Sequence, residues 1–175
     1  VGEVARDKCI LRSGATVGDG VWVTGELGGS IAGHHLEFTP RLAEARWLAA
    51  HHQPSAMIDL SDGFAGDLGH LLAEANAGAE LLESALPIRR EARLRARESE
   101  AAKPPLLAAL TDGEDYELCF TLGQGRAVML LDQFKQEFPG TPLSCVGKIV
   151  DRPGLKIRQK SGIREISTRG YVHFQ

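Results

Sequence analysis

The sequence predicts an α+β domain in which a mixed β-sheet is packed with helices. Two observations lead to this class. Short apolar segments suited to buried strands alternate with segments of helical period, and the C-terminal part contains consecutive strand segments that favour a hairpin. The sequence has no internal repeat, no low-complexity tract and no linker. Residues 1–175 are therefore expected to form a single domain.

The N-terminal third predicts strands that flank a helix. Residues 1–15 suggest a strand and then a turn, and residues 21–24 a second strand that leads into a glycine-rich loop. The helix that follows is expected to be capped by Thr39, with Pro40 in its first position. Residues 55–60 have the apolar character of a short buried strand.

The middle of the chain predicts a helix, a strand and a charged segment. The helix covers residues 62–76 and is expected to end in a left-handed cap at Asn76. Residues 79–88 predict a strand. Residues 89–105 are highly charged and predict an exposed helix or loop, which the two prolines at its end terminate.

The C-terminal part predicts several strands and one helix. Residues 115–122 have the alternating pattern of a strand, and residues 125–138 the period of an amphipathic helix. Residues 143–150 predict another strand. Residues 154–167 predict a hairpin that turns around Ser161 and Gly162.

Composition and charge exclude several classes of function. The 175 residues are 43% hydrophobic and 25% charged, as in ordinary globular domains. A net charge of -3 argues against a nucleic-acid or anionic-membrane partner, and no apolar run reaches the roughly 18 to 20 residues of a membrane span. Cys9, Cys119 and Cys145 are odd in number and far apart, which favours a reducing cytoplasm over a disulfide framework.

The start of the chain indicates a longer parent protein. The chain begins with Val1 in place of an initiator methionine. Its opening residues already have the pattern of a strand and a loop in progress. We therefore expect the chain to be a fragment.

The segment IDLSDG, residues 58–63, has two carboxylates and a hydroxyl where a buried strand gives way to a helix. Alternation along the strand puts Asp59 and Ser61 on one face, and Ser61 or Asp62 is the natural helix N-cap. A helix N-terminus favours anions, whereas carboxylates repel them, and a Mg²⁺ ion shared with phosphate resolves this conflict. The segment thus predicts a Mg²⁺-phosphate corner. The alternative is a turn and a cap that bind nothing.

A second acidic cluster follows a turn within residues 110–120. Gly113 permits the turn, and Glu114, Asp115 and Glu117 follow it. Such a cluster can hold a cation or accept hydrogen bonds from a cationic ligand. On spacing alone, a solvated turn is the simpler explanation.

Weaker signals lie elsewhere in the chain. Arg12 stands beside a flexible Ser-Gly turn, which suits a phosphate, although a surface arginine has the same pattern. Residues 25–33 are glycine-rich but match neither a Walker A nor a dinucleotide-binding motif. Tyr171, His173 and Phe174 can stack on a flat heterocycle or pack the C-terminus onto the core. No Ser-His-Asp or Cys-His arrangement is evident, so no catalytic nucleophile is predicted.

These motifs together resemble one family, the thiamine-monophosphate kinases. The matching segments are, in order, LRSGATVGDGVWVTG, FTPRLAEARWL, AMIDLSDGFAGDLGHL, DGEDYELCFT and GYVHF. They fall in the family's C-terminal half, and the match is weakest over residues 88–105. IDLSDG alone indicates only the wider superfamily, which includes aminoimidazole ribonucleotide synthetase, selenophosphate synthetase and the hydrogenase maturation factor HypE. GEDYEL with the aromatic tail is more specific to the kinases.

The resemblance implies a fold, a reaction and a set of site residues. The fold is the C-terminal α+β domain of the aminoimidazole ribonucleotide synthetase-like superfamily. The reaction transfers the γ-phosphate of ATP to thiamine monophosphate, whose phosphate is already ionised, so that no general base is needed. The implied site residues are Asp59 and Asp62 as Mg²⁺ ligands, Arg12 and Ser61 as ATP contacts, and Glu114 and Tyr171 as substrate contacts.

The family pattern also contains parts that this chain lacks. An N-terminal half carries most of the Mg²⁺ aspartates, much of the ATP site and the dimer core. We therefore expect a cytoplasmic, homodimeric transferase of thiamine diphosphate biosynthesis as the parent, and an isolated chain that is inactive. Asp112 replaces a usual glycine, and Val172 replaces a usual acidic residue.

Two alternatives to the kinase stay open. The chain could belong to another ATP-dependent synthetase of the same superfamily, or it could be a stand-alone ligand-binding domain. Glu114 and Tyr171 discriminate between the first alternative and the kinase, because they match the kinase pattern and have no reason to recur elsewhere.

Overall fold

The computed structural model describes residues 3–4 and 8–167, and within them seven strands form one mixed sheet on which six α-helices pack. The strands are β1 (Gly20–Thr24), β2 (Ala56–Asp59), β3 (Gly78–Leu82), β4 (Leu118–Leu122), β5 (Leu143–Val150), β6 (Gly154–Gln159) and β7 (Gly162–Ile166). The helices are α1 (His34–Glu37), α2 (Leu42–His51), α3 (Phe64–Ala75), α4 (Arg90–Glu98), α5 (Pro105–Thr111) and α6 (Ala127–Glu137). The predicted α+β class is confirmed.

The strand order across the sheet is β2-β4-β1-β5-β3-β6-β7. Only β3 and β6 pair in parallel among the described strands, and the other neighbours are antiparallel. Strand β2 therefore lies at one edge of the sheet, and the hairpin of β6 and β7 lies at the other. Residues 60–63 join β2 to α3, so the predicted Mg²⁺-phosphate corner lies at a sheet edge.

Two apolar clusters cover the two faces of the sheet. Strand β1 contributes to both clusters. Val21 and Val23 belong to the first cluster, which contains α3 side chains, whereas Trp22 belongs to the second cluster. This alternation is the period of a strand that is buried on both faces. Leu130 and Phe134 of α6 pack in the second cluster with Trp22. The candidate site therefore lies near the cluster of α3, and α6 covers the opposite face.

Helix α3 forms within the predicted range and ends in the predicted cap, although it begins at Phe64 and not at residue 62. Phe64, Leu68 and Leu71 recur at helical spacing and are fully buried, which gives the helix an apolar face against the sheet. The helix ends at a left-handed Asn76 with φ 49°, whose N–H lies within hydrogen-bond reach of the Leu72 and Ala73 carbonyls. A left-handed cap of this kind satisfies carbonyls that the helix end leaves unpaired.

Two predictions about the N-terminal elements are wrong. The described part of residues 1–15 contains no strand, and Arg12–Gly14 forms a 3-10 helix instead. Helix α2 begins at Leu42, and neither Thr39 nor Pro40 takes the predicted capping or first position. The reason in the second case is a turn in which the Leu42 N–H donates to the Pro40 carbonyl at 2.8 Å, so that the chain enters the helix later.

Other corrections concern helix and hairpin ends. Pro105 does not end the charged segment but begins α5, a helix that the sequence analysis missed. Proline suits a first helical turn because its missing N–H has no intrahelical partner there. In the predicted hairpin, Gln159 pairs with Gly162, so the turn lies one residue earlier than expected.

None of the helices in the described part of the chain is long and apolar enough to cross a bilayer.

Candidate functional site

A cleft of about 420 Å³ lies where β2 ends and α3 begins. Its walls contain Arg12, Asp59, Ser61 and Asp62, so four of the candidate residues from the sequence lie together. Asp59 and Asp62 are exposed and present their carboxylates to solvent. His70 of α3 also lines this cleft, and the sequence analysis did not single it out.

The loop between β2 and α3 is held by a residue that the sequence analysis missed. One carboxylate oxygen of Asp67, Oδ2, accepts the N–H groups of Ser61 and Asp62, each at 3.0 Å. Burial raises the pKa of Asp67 to about 6, and the charges of Asp62 and Asp59 add to this effect. The sequence did contain a signal for Asp67, because it is an acidic residue in the first turn of a helix, where carboxylates are favoured.

The predicted N-cap of α3 is therefore wrong. Gly63 holds the cap position with φ 108° and ψ 142°, and no side chain caps the helix there. Neither Ser61 nor Asp62 is the cap. Their N–H groups are instead occupied by Asp67, which reaches back from inside the helix.

Arg12 reaches the same cleft from a different part of the chain. Its 3-10 helix packs on β2 and α3. The packing is close at Gly14, where a Cβ atom would lie 1.9 Å from the carbonyl oxygen of Ser55. Arg12 is exposed, and among the described residues its guanidinium has no hydrogen-bond or ion-pair partner. The group is thus available to an anionic ligand.

A second cleft, of about 760 Å³, lies between α4, α5 and the turn that contains Glu114. Its charged lining residues are Asp62, Arg95, Lys103, Asp112 and Glu114. Ser61 and Asp62 line both clefts, so this dipeptide separates them. Tyr116 also lines the second cleft, and its ring stacks on Phe38 with centroids 4.0 Å apart.

The acidic cluster after Gly113 divides between structural and exposed side chains. Asp115 and Glu117 are buried, whereas Glu114 is exposed in the second cleft. Both oxygens of Asp115 accept the Gly28 N–H, at 3.0 and 2.9 Å. Burial raises the pKa of Asp115 to about 7. The three carboxylates therefore do not face one common cation site, and two of them are buried and not solvated.

Glu117 forms the other buried contact of this segment. Its carboxylate accepts two hydrogen bonds from the Arg41 guanidinium, at 2.7 and 2.8 Å, and a third from the Thr24 hydroxyl at 2.8 Å. The bond to Glu117 raises the pKa of Arg41 further above its usual value. This bidentate pair joins the start of β4 to the start of α2.

The glycine-rich loop is held by carboxylates. The N–H of Gly28 donates to Asp115, and the N–H of Gly29 donates to Asp112 Oδ2 at 3.1 Å. Asp112 in turn pairs with Lys103 at 2.8 Å. These amide groups therefore bind protein side chains and are not free to bind a phosphate.

The residues that hold Glu114 come from distant segments. The buried Ser30 hydroxyl donates to the Glu114 carbonyl at 2.6 Å, and the Glu114 N–H donates to the Ser61 carbonyl at 2.8 Å. Glu114 has φ 64°, a left-handed conformation that is uncommon outside glycine. Both of its peptide groups are thus engaged, and its side chain is left to face the cleft.

Asp59 and Asp62 fit a Mg²⁺ ion by their chemistry. Mg²⁺ is typically held by one or two carboxylates and completes its coordination with water and phosphate oxygens. Within residues 3–4 and 8–167, no group of three or more His, Cys, Asp or Glu side chains is arranged to hold a metal ion. Tyr171, the remaining candidate, lies outside the described residues, as do His173 and Phe174.

Comparisons with known proteins point to one kind of enzyme. No protein-family model matches the chain. The chain is 40% identical over 164 residues to the thiamine-monophosphate kinase of Rhodopirellula baltica. This alignment covers 93% of the chain and 50% of the relative. It is 33% identical over 198 residues to that of Salmonella typhimurium, covering 99% and 58%. The chain thus spans about half the length of these curated relatives.

Solved structures share the fold. The crystal structure of thiamine-monophosphate kinase from Stenotrophomonas maltophilia has a TM-score of 0.73 at 28% identity, covering 88% of this chain and 54% of that one. AaThiL complexed with AMPPCP and TMP has a TM-score of 0.69 at 26% identity, covering 94% and 54%. Escherichia coli HypE, at 20% identity and TM-score 0.73 with coverage of 95% and 53%, shares the fold alone.

Proposed function

Since this chain is a homologue of the thiamine-monophosphate kinases along almost its whole length, we propose that it is the C-terminal half of such a kinase. In this proposal the whole protein transfers the γ-phosphate of ATP to thiamine monophosphate and produces thiamine diphosphate. A further segment, equivalent to the part of the relatives that this chain does not match, completes the ATP site. In this proposal the isolated chain binds ligands but does not catalyse the phosphate transfer.

The observation that carries this proposal is the pair of clefts separated by Ser61 and Asp62. A phosphoryl transfer between two bound molecules needs adjacent sites, so that the acceptor oxygen can lie in line with the γ-phosphate. The first cleft, with Arg12, is assigned to the nucleotide phosphates. The second cleft, with Glu114, is assigned to the acceptor.

The second cleft offers thiamine monophosphate a carboxylate and an aromatic ring. The thiazolium ring of thiamine is cationic, and the exposed Glu114 carboxylate complements it. Tyr116 offers a flat ring whose position is set by the stack on Phe38. Tyr171 is proposed as a further substrate contact, on the sequence motif alone.

The proposed chemistry needs alignment rather than a base. The attacking phosphate oxygen is already ionised near neutral pH, so the protein has to hold it in line with the γ-phosphate. Bound Mg²⁺ would neutralise the phosphate charge during the transfer. Asp59 and Asp62 would hold the ion, Ser61 would contact ATP, and the Arg12 guanidinium would bind a phosphate.

The remaining parts of the proposal concern the parent protein. We place it in the cytoplasm as a homodimer, and the free thiols of Cys9, Cys119 and Cys145 fit a reducing compartment. The alternative of another synthetase of the same superfamily is not favoured, because the related kinases share 40% and 33% identity with the chain whereas HypE shares 20%.

Isothermal titration of this chain with thiamine monophosphate, with and without Mg²⁺ and beside ATP, tests the proposal. We expect Mg²⁺-dependent binding of thiamine monophosphate. Asp62→Asn should weaken the Mg²⁺-dependent part and Glu114→Gln the affinity for the thiamine moiety, each by about tenfold, the usual cost of a lost charge-assisted contact of about 1.4 kcal/mol.

Matched controls lie on the opposite face of the sheet. Asp132→Asn and Glu137→Gln remove exposed carboxylates of α6 and should bind as wild type does. If neither ligand binds the wild-type chain, the proposal that this half carries preformed contacts is wrong. Equal affinity in Glu114→Gln and Glu137→Gln would refute the substrate assignment of the second cleft.

A further inference from the structure

Asp67 is a buried acidic residue to which the proposed function gives no role. It lies in the first turn of α3 and is 3% exposed. Its Oδ2 atom accepts the N–H groups of both Ser61 and Asp62 at 3.0 Å. These are the two residues that both clefts share. One buried oxygen thus holds the wall between the clefts.

The hydrogen bonds continue from this wall into the second cleft. The Ser61 carbonyl accepts the Glu114 N–H at 2.8 Å, and the neighbouring Leu60 carbonyl accepts the Tyr116 N–H at 2.8 Å. Glu114 and Tyr116 both have positive φ, 64° and 52°. Such conformations persist only where the surroundings enforce them. The orientation of Glu114 therefore depends on where Ser61 is held.

The bonds to Asp67 act on the loop and not on the helix itself. Helix α3 begins at Phe64, and Gly63 with φ 108° stands between it and the two N–H donors. Ordinary capping satisfies N–H groups of the first helical turn. Asp67 instead reaches beyond that turn to residues that precede the cap, so its hydrogen bonds set the loop geometry.

We propose that Asp67 is a positioning residue, which holds Ser61 and Asp62 in the arrangement that serves both clefts and which orients Glu114 through Ser61. The role of the clefts rests on the proposed function. The mechanical link from Asp67 to Glu114 does not. Its essential property is the position of one acceptor oxygen, and not the negative charge.

Two variants separate position from charge. Asp67→Asn keeps an acceptor oxygen at the same distance from the backbone and removes the charge. Asp67→Glu keeps the charge and moves the oxygen by one methylene group. Asp132→Asn and Asp132→Glu, on the exposed side of α6, are the matched controls.

The first measurement is amide hydrogen exchange, read residue by residue by NMR on the whole chain. In Asp67→Glu the amides of Ser61, Asp62 and Glu114 should exchange about tenfold faster, which corresponds to a lost hydrogen bond of about 1.4 kcal/mol, while amides of β6 and β7 keep their rates. In Asp67→Asn all of these rates should stay within about threefold of wild type, since the acceptor is retained.

The opposite pattern, with Asp67→Glu like wild type and Asp67→Asn altered, would show that charge matters and overturn the proposal. A uniform acceleration across the whole sheet in Asp67→Glu would show a merely structural role and also overturn it. Unchanged exchange at Glu114 in Asp67→Glu would refute the link to the second cleft.

The second measurement is titration of the same variants with Mg²⁺ alone. The proposal expects Asp67→Asn to keep the wild-type affinity and Asp67→Glu to lose about tenfold, because Asp62 is displaced. If Asp67→Asn loses as much as Asp67→Glu, Asp67 contacts the ion through its charge and the positioning role is wrong. If wild type binds no Mg²⁺, the proposed metal corner fails, and hydrogen exchange alone decides the role of Asp67.

Discussion

Asp115 lies beneath the glycine-rich loop and is 1% exposed. Burial is the main cause that raises its pKa from 3.8 to about 7. The hydrogen bond from Gly28 and the charge of Arg89 lower the pKa, whereas the charges of Asp112 and Glu117 raise it. A carboxyl group of this kind makes the stability of the fold depend on pH near neutrality.

The sign of this dependence follows from the direction of the shift. Because the folded state binds the proton more tightly, the stabilisation is fully present below pH 3.8 and is lost as the pH rises through about 7. Asp115→Asn cannot titrate. We therefore expect the free energy of unfolding of Asp115→Asn, relative to wild type, to increase by about 2 to 4 kcal/mol between pH 4 and 7.5.

Urea unfolding of both proteins across this pH range measures the difference directly. Asp67 titrates in both proteins, so its effect on the free energy of unfolding cancels to first order when the two proteins are compared. Asp132→Asn, an exposed carboxylate, provides the control and should show no such trend. A difference between wild type and Asp115→Asn that stays constant with pH would show that the pKa of Asp115 is not raised in the folded state.

At the scale of elements, the 3-10 helix Arg12–Gly14 is what brings a cation to the corner after β2. Its distance from β2 is limited by Gly14, whose hydrogen atoms face the Ser55 carbonyl. Any side chain at this position would force the two segments apart. Arg12 therefore depends on a glycine that lies two residues away in the same element.

Gly14→Ala should separate these segments. An added Cβ would lie 1.9 Å from the Ser55 carbonyl oxygen, which requires a backbone shift. We expect a loss of about 1 to 3 kcal/mol in the free energy of unfolding, as for other overpacked sites. Affinity for ATP should fall several-fold, because Arg12 moves out of the cleft.

Gly125→Ala is the matched control for this change. Gly125 also lies in a 3-10 helix, Gln124–Arg126, and a Cβ there would meet nothing within 4 Å. Urea unfolding and ATP titration of both variants make the comparison. Equal behaviour of Gly14→Ala and Gly125→Ala would mean that the two segments move apart at no cost.

At the scale of the whole molecule, the apolar cluster that α6 covers lies apart from the second cleft. The cluster of Trp22, Leu130 and Phe134 lies on the face that α6 covers. No residue of α6 lines either cleft. Met57 and Leu118 pack against this cluster and line the first cleft, but neither lines the second. A change at α6 in this cluster should therefore affect unfolding without altering the second cleft.

Leu130→Ala tests this separation. Leu130 is fully buried, and its truncation should cost about 2 to 5 kcal/mol, as for other leucines in a packed core. Leu131→Ala, at the next position and 42% exposed, should cost less than about 1 kcal/mol. Both should keep wild-type affinity for thiamine monophosphate below their melting temperatures. A large loss of affinity in Leu130→Ala alone would show that the two faces are coupled.

Much of the architecture was predictable because its signals are local. Helix α3 with its Asn76 cap, the alternating strands and the α+β class follow from periodicity and from residues with special backbone preferences. The juxtaposition of Asp59, Ser61 and Asp62 was predictable for the same reason, since they are neighbours in the chain. Helix α5 was missed because its first proline also suits the end of a helix.

The sequence by itself determined most of the elements and the position of Asp59, Ser61 and Asp62 between a buried strand and a helix. Only the tertiary structure decided how the acidic residues divide, with Asp115 and Glu117 holding the loop and α2 while Glu114 faces a cleft. It also decided that Asp67 holds Ser61, and that Ser61 holds Glu114. The physical reason is that local preferences set backbone conformation, whereas the partner of a buried carboxylate is chosen by which distant N–H groups the packing brings within reach.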